Sequence, residues 1–579
     1  VRKAALAPLL LSLAACGPRH GESLIVIGVD GMDPAFFENH RADLPNLSRL
    51  AFSRLATTTP PQSPVAWSTF TTGLDPAEHG IFDFVHRDPD THQLFLSTDR
   101  TVPPRFTLPL GTWQIPLSDA HVESLRHGKA FWQTLSEKAV PVTVVRMPAN
   151  YPPLHFGNEI SGMETPDLRG TQSTFTYYTD DPSENSRSVS GGLIRKVELN
   201  KGHVELVLEG PPNSLRREQG FVTTQIAVDV DAVNSAARMA IGNEVTVLRE
   251  GEWSDWLPVD FPLLPHVVSV RGMVRIFVKQ LHPRFEVYFS PINIDPQEPA
   301  LPVSSPPSFA KSFDRFYTVG IPEDTAALRQ GVFSLDQFLK QTHEVLKDER
   351  HMLDETLARY TGGFLFFYFS SVDENSHILF GKYDAQLLEF YKSVDDAVGE
   401  AMRREPNAHL IVMSDHGFST FHRAVNLNTW LLEEGLLTRD ASGGIDWADT
   451  KAYAMGLNAL YLSGADRADV TRRLLALRDP ANGKVVVEAV TPIHAAAINR
   501  RVAPDLIVGY APGYRASWAT GLGEVPETVF EDNTDAWIAD HCINAADVPG
   551  VLFTSPGVAV EDKSLKGLSR AILKMFGAA

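Results

Sequence analysis

Aspartate and histidine recur in this chain where apolar runs end. Leu24-Ile25-Val26-Ile27-Gly28-Val29 delivers Asp30-Gly31, the run from Gly363 to Phe369 is followed by Asp373 and His377, and Leu410-Ile411-Val412-Met413-Ser414 delivers Asp415-His416-Gly417. Carboxylates mixed with neutral imidazoles form a donor set that suits zinc, with manganese as the alternative. Asp373 and His377 are four residues apart, so a helical turn places both on one face. His541, between Asp540 and Cys542, is a further candidate late in the chain. Two divalent ions about 4 Å apart can activate a nucleophile and stabilise a leaving oxygen in phosphoryl transfer. Each aspartate taken singly reads as a turn residue. The joint placement is what points to a site.

A nucleophile has its own candidate. Ser63 stands where the proline-stiffened stretch Pro60-Pro61-Gln62 meets a predicted helix, with Pro64 suited to the first helical position. A serine there is commonly an N-cap. The same place suits a nucleophile, because free backbone N–H groups and the helix dipole favour an arriving anion. Trp67 and Phe70, farther along, either line an apolar slot for an ester group or pack inside.

These groups need a common edge, and the surrounding pattern predicts one. Apolar strands alternate with amphipathic helices, which implies an α/β fold: a mostly parallel central sheet with helices on both faces and ligands at its carboxyl edge. Leu44 to Leu50 predicts the start of a helix, residues 74–127 read as loops near the sheet edge, and Ala130 to Lys138 is a helix before the strand Val142 to Arg146. Farther on come a long helix around 335–360, an amphipathic helix from Tyr383 to Met402, a strand from Pro504 to Tyr510, a closing strand from Val551 to Thr554 and a helix from Leu565 to Phe576. Between 187 and 305 the texture changes to short alternating runs, such as His203-Val204-Glu205-Leu206-Val207-Leu208, separated by glycine, proline and asparagine. That predicts a β-rich insertion dividing a catalytic α/β domain into 24–186 and 306–579.

At 579 residues the chain exceeds one ordinary core. Hydrophobic content of 43% and charged content of 21% are those of a soluble globular protein, and a net charge of −19 argues against a nucleic-acid polymer as partner. Arg2 and Lys3 precede the mostly apolar run Ala4 to Ala15, which is too short to span a membrane and has the layout of a secretory signal. Leu13-Ala14-Ala15-Cys16 resembles a bacterial lipobox. That resemblance implies that residues 1–16 form a lipoprotein signal ending at a lipidated Cys16 and that 17–23 form a tether. The protein is then expected to be exported and held at a membrane, facing the periplasm or cell exterior. With Cys16 so used only Cys542 remains, and no intrachain disulfide is available.

Taken together, Val29-Asp30-Gly31, the Ser63 segment running into Thr72-Gly73-Leu74-Asp75-Pro76-Ala77-Glu78-His79-Gly80-Ile81, Asp373 to His377, Ser414-Asp415-His416-Gly417 and the late His541 resemble the alkaline phosphatase superfamily. The resemblance is nearest the type I phosphodiesterase/nucleotide pyrophosphatase branch. It implies that Asp30, Ser63, Asp415 and His416 hold one metal ion, that Asp373, His377 and His541 hold another, and that Ser63 is the nucleophile. Phe84 stands where that branch has a phosphate-binding asparagine, which leaves Asn375, His422 and Arg423 as candidate substrate contacts. Sulfatase chemistry is unsupported, because Ser63 is not followed by the x-Pro-x-Arg that its modified residue requires. The expected activity is a phosphodiesterase acting on a small-molecule or lipid phosphoester. The alternatives are a phosphomonoesterase or phosphotransferase of the same superfamily, or a non-catalytic surface-binding lipoprotein.

Overall fold

The strand Ser23–Val29 (β1) is buried along its apolar length and divides its side chains between two faces. Ile25, Ile27 and Val29 enter one hydrophobic core and Leu24 and Val26 another, as the two-residue period of a strand requires. The computed structural model describes residues 21–218 and 220–579. Cys16 and the proposed signal lie outside the described residues.

In chain order the central sheet continues with Ala51–Leu55 (β2), Val142–Met147 (β3), Asn158–Ser161 (β4), Ser304–Ser305 (β5), Gly363–Phe369 (β6), His409–Met413 (β7) and Gly550–Thr554 (β8). Its spatial order is β2-β8-β7-β1-β6-β3-β4-β5, an eight-stranded sheet. The pairings β7·β1, β1·β6, β6·β3 and β3·β4 are parallel, whereas β2·β8, β8·β7 and β4·β5 are antiparallel. The sheet is therefore mixed, with four parallel and three antiparallel pairings. Its parallel pairings lie at the centre, where the site-bearing strands are.

Helices Leu335–Arg359 (α3), Ser371–Leu379 (α4) and Asp384–Arg404 (α5) contribute to the core on one face. Ser63–Thr72 (α1), Phe131–Glu137 (α2) and Leu565–Met575 (α6) contribute to the core on the other. The strands β6 and β7 alternate in the same sense as β1, with Leu365, Phe367, Leu410 and Val412 on the α3 side and Phe364, Phe366, Ile411 and Met413 on the α1 side.

Two local expectations change. Leu44 to Leu50 forms no α-helix; short 3-10 turns at Arg41–Asp43 and Leu47–Arg49 lead directly into the edge strand β2. The apolar spacing that suggests a helix is used to seat Leu44, Leu47 and Leu50 against the core. Residues 74–127 contain three small two-stranded sheets and a short helix as well as loops. The strand at Leu506–Tyr510 belongs to a separate four-stranded sheet, outside the central one. The segment 187–305 is rich in strands, including a four-stranded antiparallel meander from His203 to Arg249. Its five-stranded neighbour also takes in Phe175–Thr179.

Candidate active site

Register brings the exits of three central strands together. Gly28 is paired with Met413 and Val29 with Phe369, so Asp30, Asp415 and the start of α4 all leave the same edge of the sheet. Asp30 N–H still donates to Phe369 O at 3.0 Å, which ties the first carboxylate to the exit of β6. Gly31 has φ +63°, and a Cβ there would meet Asp373 Oδ1 at 2.6 Å; only glycine turns the chain that close to a second carboxylate.

Two groups of donors result, all buried. Asp30, Asp415 and His416 form one, and Asp373, His377 and His541 the other; within each, the ligand atoms lie within 4.8 Å of one another. The groups abut, with His416 Nε2 at 3.8 Å from Asp373 Oδ1 and His541 Nε2 at 4.0 Å from the same oxygen. Ser63 joins the first group: its Oγ is 3.1 Å from His416 Nε2 and 3.4 Å from Asp30 Oδ1. The Asp30, Ser63, Asp373, His377, Asp415, His416 and His541 side chains singled out from the sequence thus converge.

The imidazoles are oriented for ligation. His377 Nδ1 lies 2.8 Å from Ala539 O, His541 Nδ1 2.7 Å from Pro61 O, and His416 Nδ1 3.2 Å from Gly417 O. A carbonyl only accepts, so each Nδ1 is assigned the proton and each Nε2 turns its lone pair inward. The carboxylates show the complementary need. Burial, followed by the charge of Asp30, holds the Asp373 and Asp415 carboxyls well above the ordinary range. Burial likewise lowers the His377 and His541 imidazoles to about 4 and His416 well below its usual value. Asp373 Oδ1 and Asp415 Oδ2 are buried without a hydrogen-bond donor. Among the described residues no lysine or arginine forms an ion pair with Asp30, Asp373 or Asp415. Crowded acceptors lacking a cation, facing inward-turned imidazole lone pairs, fit divalent metal ions.

Around these donors lies a supporting layer with no local sequence signal. Asp30 Oδ2 accepts from Trp67 Nε1 at 2.9 Å and from the Tyr368 hydroxyl at 2.6 Å. Trp67 reaches it by crossing Gly28, where a Cβ would meet the indole at 2.7 Å. Trp67 and Phe70 are fully buried, so they pack as core and do not line an ester slot. Gln62, the N-cap residue of α1, donates from Nε2 to Asp83 Oδ2 at 2.9 Å and Asn458 Oδ1 at 2.8 Å, and accepts from Phe84 N–H at 3.1 Å. Asn458 in turn donates to Cys542 O at 3.0 Å, connecting the Ser63 turn with the turn that carries His541.

The helix terminus is narrower as an anion site than the sequence suggests. Pro64 has no N–H, and the N–H groups of Val65 and Ala66 both donate to Gln62 O at 2.9 Å. The Ser63 N–H is left as the free donor of that first turn among the described residues.

His541 is delivered by the short strand Ala539–Asp540, which pairs with Ser419–Val425, the strand just beyond His416. Asp540 makes a buried ion pair with Arg515 at 3.0 Å and accepts from Trp537 Nε1 at 2.9 Å. Burial opposes the Asp540 charge, but Arg515, His377 and His541 bring its pKa below the ordinary value. The Trp537 ring stacks on His377 with centroids 3.7 Å apart. Arg515, Phe421, Trp518 and Trp537 line a cavity of about 210 Å³. The three substrate-contact candidates are engaged elsewhere: the His422 ring lies 5.6 Å from that of Tyr514. Arg423 pairs with Asp479 at 2.7 Å and Asp532 at 3.3 Å, and Asn375, buried on α4, donates to Ser371 O at 2.7 Å.

The sequence matches the family of type I phosphodiesterases and nucleotide pyrophosphatases over residues 24–207 and 284–527. The chain belongs to that family. It is accordingly a phosphoester hydrolase of a metal-dependent kind. The match omits residues 208–283, within the β-rich segment, and stops before His541, which the fold brings beside Asp373 and His377. No curated protein matches by sequence. Similar solved structures include phosphonoacetate hydrolase from Sinorhizobium meliloti 1021 in complex with phosphonoacetate, at 11% identity and TM-score 0.45, covering 96% of each chain. Another is murine ectonucleotide pyrophosphatase/phosphodiesterase 5, at 10% identity and TM-score 0.41, covering 96% of this chain and 95% of that one.

Proposed function

We propose that this protein is a phosphodiesterase that uses Ser63 as nucleophile and takes two divalent metal ions, with zinc suited to the mixed carboxylate and imidazole donors. The observation that carries the reading is the position of Ser63 Oγ, 3.1 Å from His416 Nε2 and 3.4 Å from Asp30 Oδ1, at the start of a buried helix. Asp30, Asp415 and His416 would hold one ion beside Ser63, and Asp373, His377 and His541 the other. Bound ions would favour the serine alkoxide and offset charge developing on the phosphoryl oxygens. Ser63 Oγ, oriented toward Asp30, attacks phosphorus as its bond to the first alcohol breaks, and the serine proton leaves with that alcohol; water then cleaves the Ser63–phosphorus ester, releasing the monoester and returning a proton to Oγ. The Ser63 N–H and the α1 dipole face the arriving negative charge.

A diester is favoured over a monoester. A monoester dianion calls for a fixed cation, ideally a bidentate arginine, and α1 carries none beside Ser63. The cavity lined by Arg515, Trp518 and Trp537 next to His377 offers room for a second ester group. Ser63→Ala should lower turnover by about a thousandfold or more while bound metal is retained. Rapid acid quench with mass spectrometry should find Ser63 of the parent carrying the substrate's phosphoryl group with its second ester intact. Near-normal turnover in the variant removes Ser63 from the mechanism, and a higher kcat/KM for p-nitrophenyl phosphate than for bis-p-nitrophenyl phosphate replaces the diesterase with a monoesterase.

We assign the catalytic body to residues 24–186 and 306–579 and treat 187–305 as an insertion. Export and lipidation at Cys16 follow from the Leu13-Ala14-Ala15-Cys16 pattern. Metabolic labelling with a radioactive fatty acid should mark the parent and not Cys16→Ser; labelling that persists in the variant rejects the anchor.

A further inference from the structure

The hairpin formed by Thr107–Leu110 and Trp113–Pro116 stands apart as its own two-stranded sheet. Leu108 pairs with Ile115 and Leu110 with Trp113, and Leu117 N–H donates to Phe106 O at 2.8 Å. Opposed residues of an antiparallel pair share a face, as do residues two apart. Phe106, Leu108, Leu110, Trp113, Ile115 and Leu117 therefore form one wholly apolar face. It is not covered: Phe106 is 58% exposed, Leu110 62% and Leu117 65%, with Leu108 and Ile115 also exposed. A contiguous apolar patch of this kind on a soluble protein marks an interaction surface.

Its rim is cationic. Residues 101–118 contain Arg105 and no acid, in a chain of net charge −19. The Arg105 guanidinium lies 5.2 Å from the Phe106 ring, and that of Arg216 lies 3.7 Å from the Trp113 ring. Arg216 and Arg217 come from the loop that holds the hairpin in place, through Gln114 N–H to Leu215 O at 2.8 Å and Arg217 N–H to Thr112 O at 3.1 Å. Glu218 follows Arg217 on that loop and Asp119 follows the hairpin, so three arginines stand against two acids at this edge.

We propose that this hairpin docks on an anionic phospholipid surface, the apolar face entering the acyl boundary and Arg105, Arg216 and Arg217 meeting the headgroups. Leucine, phenylalanine and tryptophan on one face with arginines at the rim are the chemistry of an interfacial contact. Strand addition by a protein partner is disfavoured, because Pro109 and Pro116 remove edge donors. A second copy would oppose like-charged rims. Among the described residues no helix is long and apolar enough to cross a membrane.

The test uses the full chain carrying Cys16→Ser, so that the proposed lipid attachment is absent, with sedimentation on vesicles of phosphatidylcholine containing about a third phosphatidylglycerol. Leu108→Asp with Leu110→Asp should lower vesicle partition at least about tenfold. Arg105→Glu with Arg216→Glu should weaken binding to these vesicles in a salt-dependent way and leave neutral vesicles unaffected. Hydrolysis of a soluble diester should be unchanged in both, which shows that the variants fold. Unchanged vesicle partition in the leucine variant overturns the proposal. So does a parent that is dimeric by analytical ultracentrifugation, a leucine variant that is monomeric, and equal lipid binding by the two, since the face then joins copies of the chain.

Discussion

The two donor groups of the site are built by different means. Asp30, Asp415 and His416 follow neighbouring parallel strands, and their spacing is that of the backbone ladder. Trp67 and Tyr368 then fix the free oxygen of Asp30 from within the core. Asp373 and His377 share the short helix α4, while His541 comes from a two-residue strand outside the central sheet. That second group depends on side-chain supports, chiefly the Arg515–Asp540 pair and the stacking of Trp537 on His377. A sheet-templated group should resist local damage, whereas a group assembled from a loop should fail piece by piece.

His377→Ala tests that contrast most severely. It should cost about a thousandfold or more in turnover and remove one of two bound ions, leaving the Asp30 group loaded, as counted by metal analysis. Loss of both ions would show that the groups are one unit; retention of both with full turnover would remove His377 from the site. Arg515→Met acts one step farther out. Asp540 would be left buried without its cation, and affinity for the second ion should fall by about ten- to a hundredfold. Arg515→Lys should recover part of that loss. If the first ion weakens equally, the support is not specific to the loop-borne group.

The smallest effect concerns the scaffold on the Ser63 side. His79 Nδ1 accepts from Ile81 N–H at 3.2 Å, and its Nε2 meets Thr69 Oγ1 of α1 at 3.0 Å; His86 Nε2 accepts from Phe82 N–H at 3.2 Å. Burial lowers both imidazoles to about 3. The unfolded chain takes up these protons near pH 6.5 and the native one only near 3. Stability from this source is therefore complete above pH 6.5 and is lost as pH falls toward 3, at a limiting slope of about 1.4 kcal/mol per unit for each histidine. Buried carboxyls such as Glu159 and Glu164, raised to about 7 and 8, shift stability the other way, so each histidine is read by difference: between pH 7 and pH 5 the parent should lose about 2 kcal/mol more than His79→Gln in urea titrations. A His79→Gln variant that loses as much stability between pH 7 and pH 5 as the parent would mean that His79 is not held neutral.

Strand exits were readable because they are local. A buried run ending in Asp-Gly or Asp-His names both the strand and the polar group leaving it, and β1, β6 and β7 lie where those runs predict. The antiparallel edge strands were not readable, since β2 is a five-residue strand with mixed burial behind apolar residues at helical spacing. The supports of the site were also invisible. Gln62 meets Asn458 and Arg515 meets Asp540 only after the fold has closed, and nothing near either residue in sequence announces the partner. The free N–H of α1 was overestimated for a local reason: Pro64 and the tight bonds to Gln62 O use up the first turn.

The hydrogen bond from His541 Nδ1 to Pro61 O joins a ligand of one donor group to the backbone two residues before Ser63, which serves the other. With an ion held at each place, as proposed above, the two binding events would thereby be thermodynamically linked. An ion that immobilises His541 also narrows the conformations open to the Ser63 turn, so part of the ordering entropy of the second event is already spent in the first. The linkage is reciprocal, so an ion beside Ser63 must tighten the His541 group by the same factor.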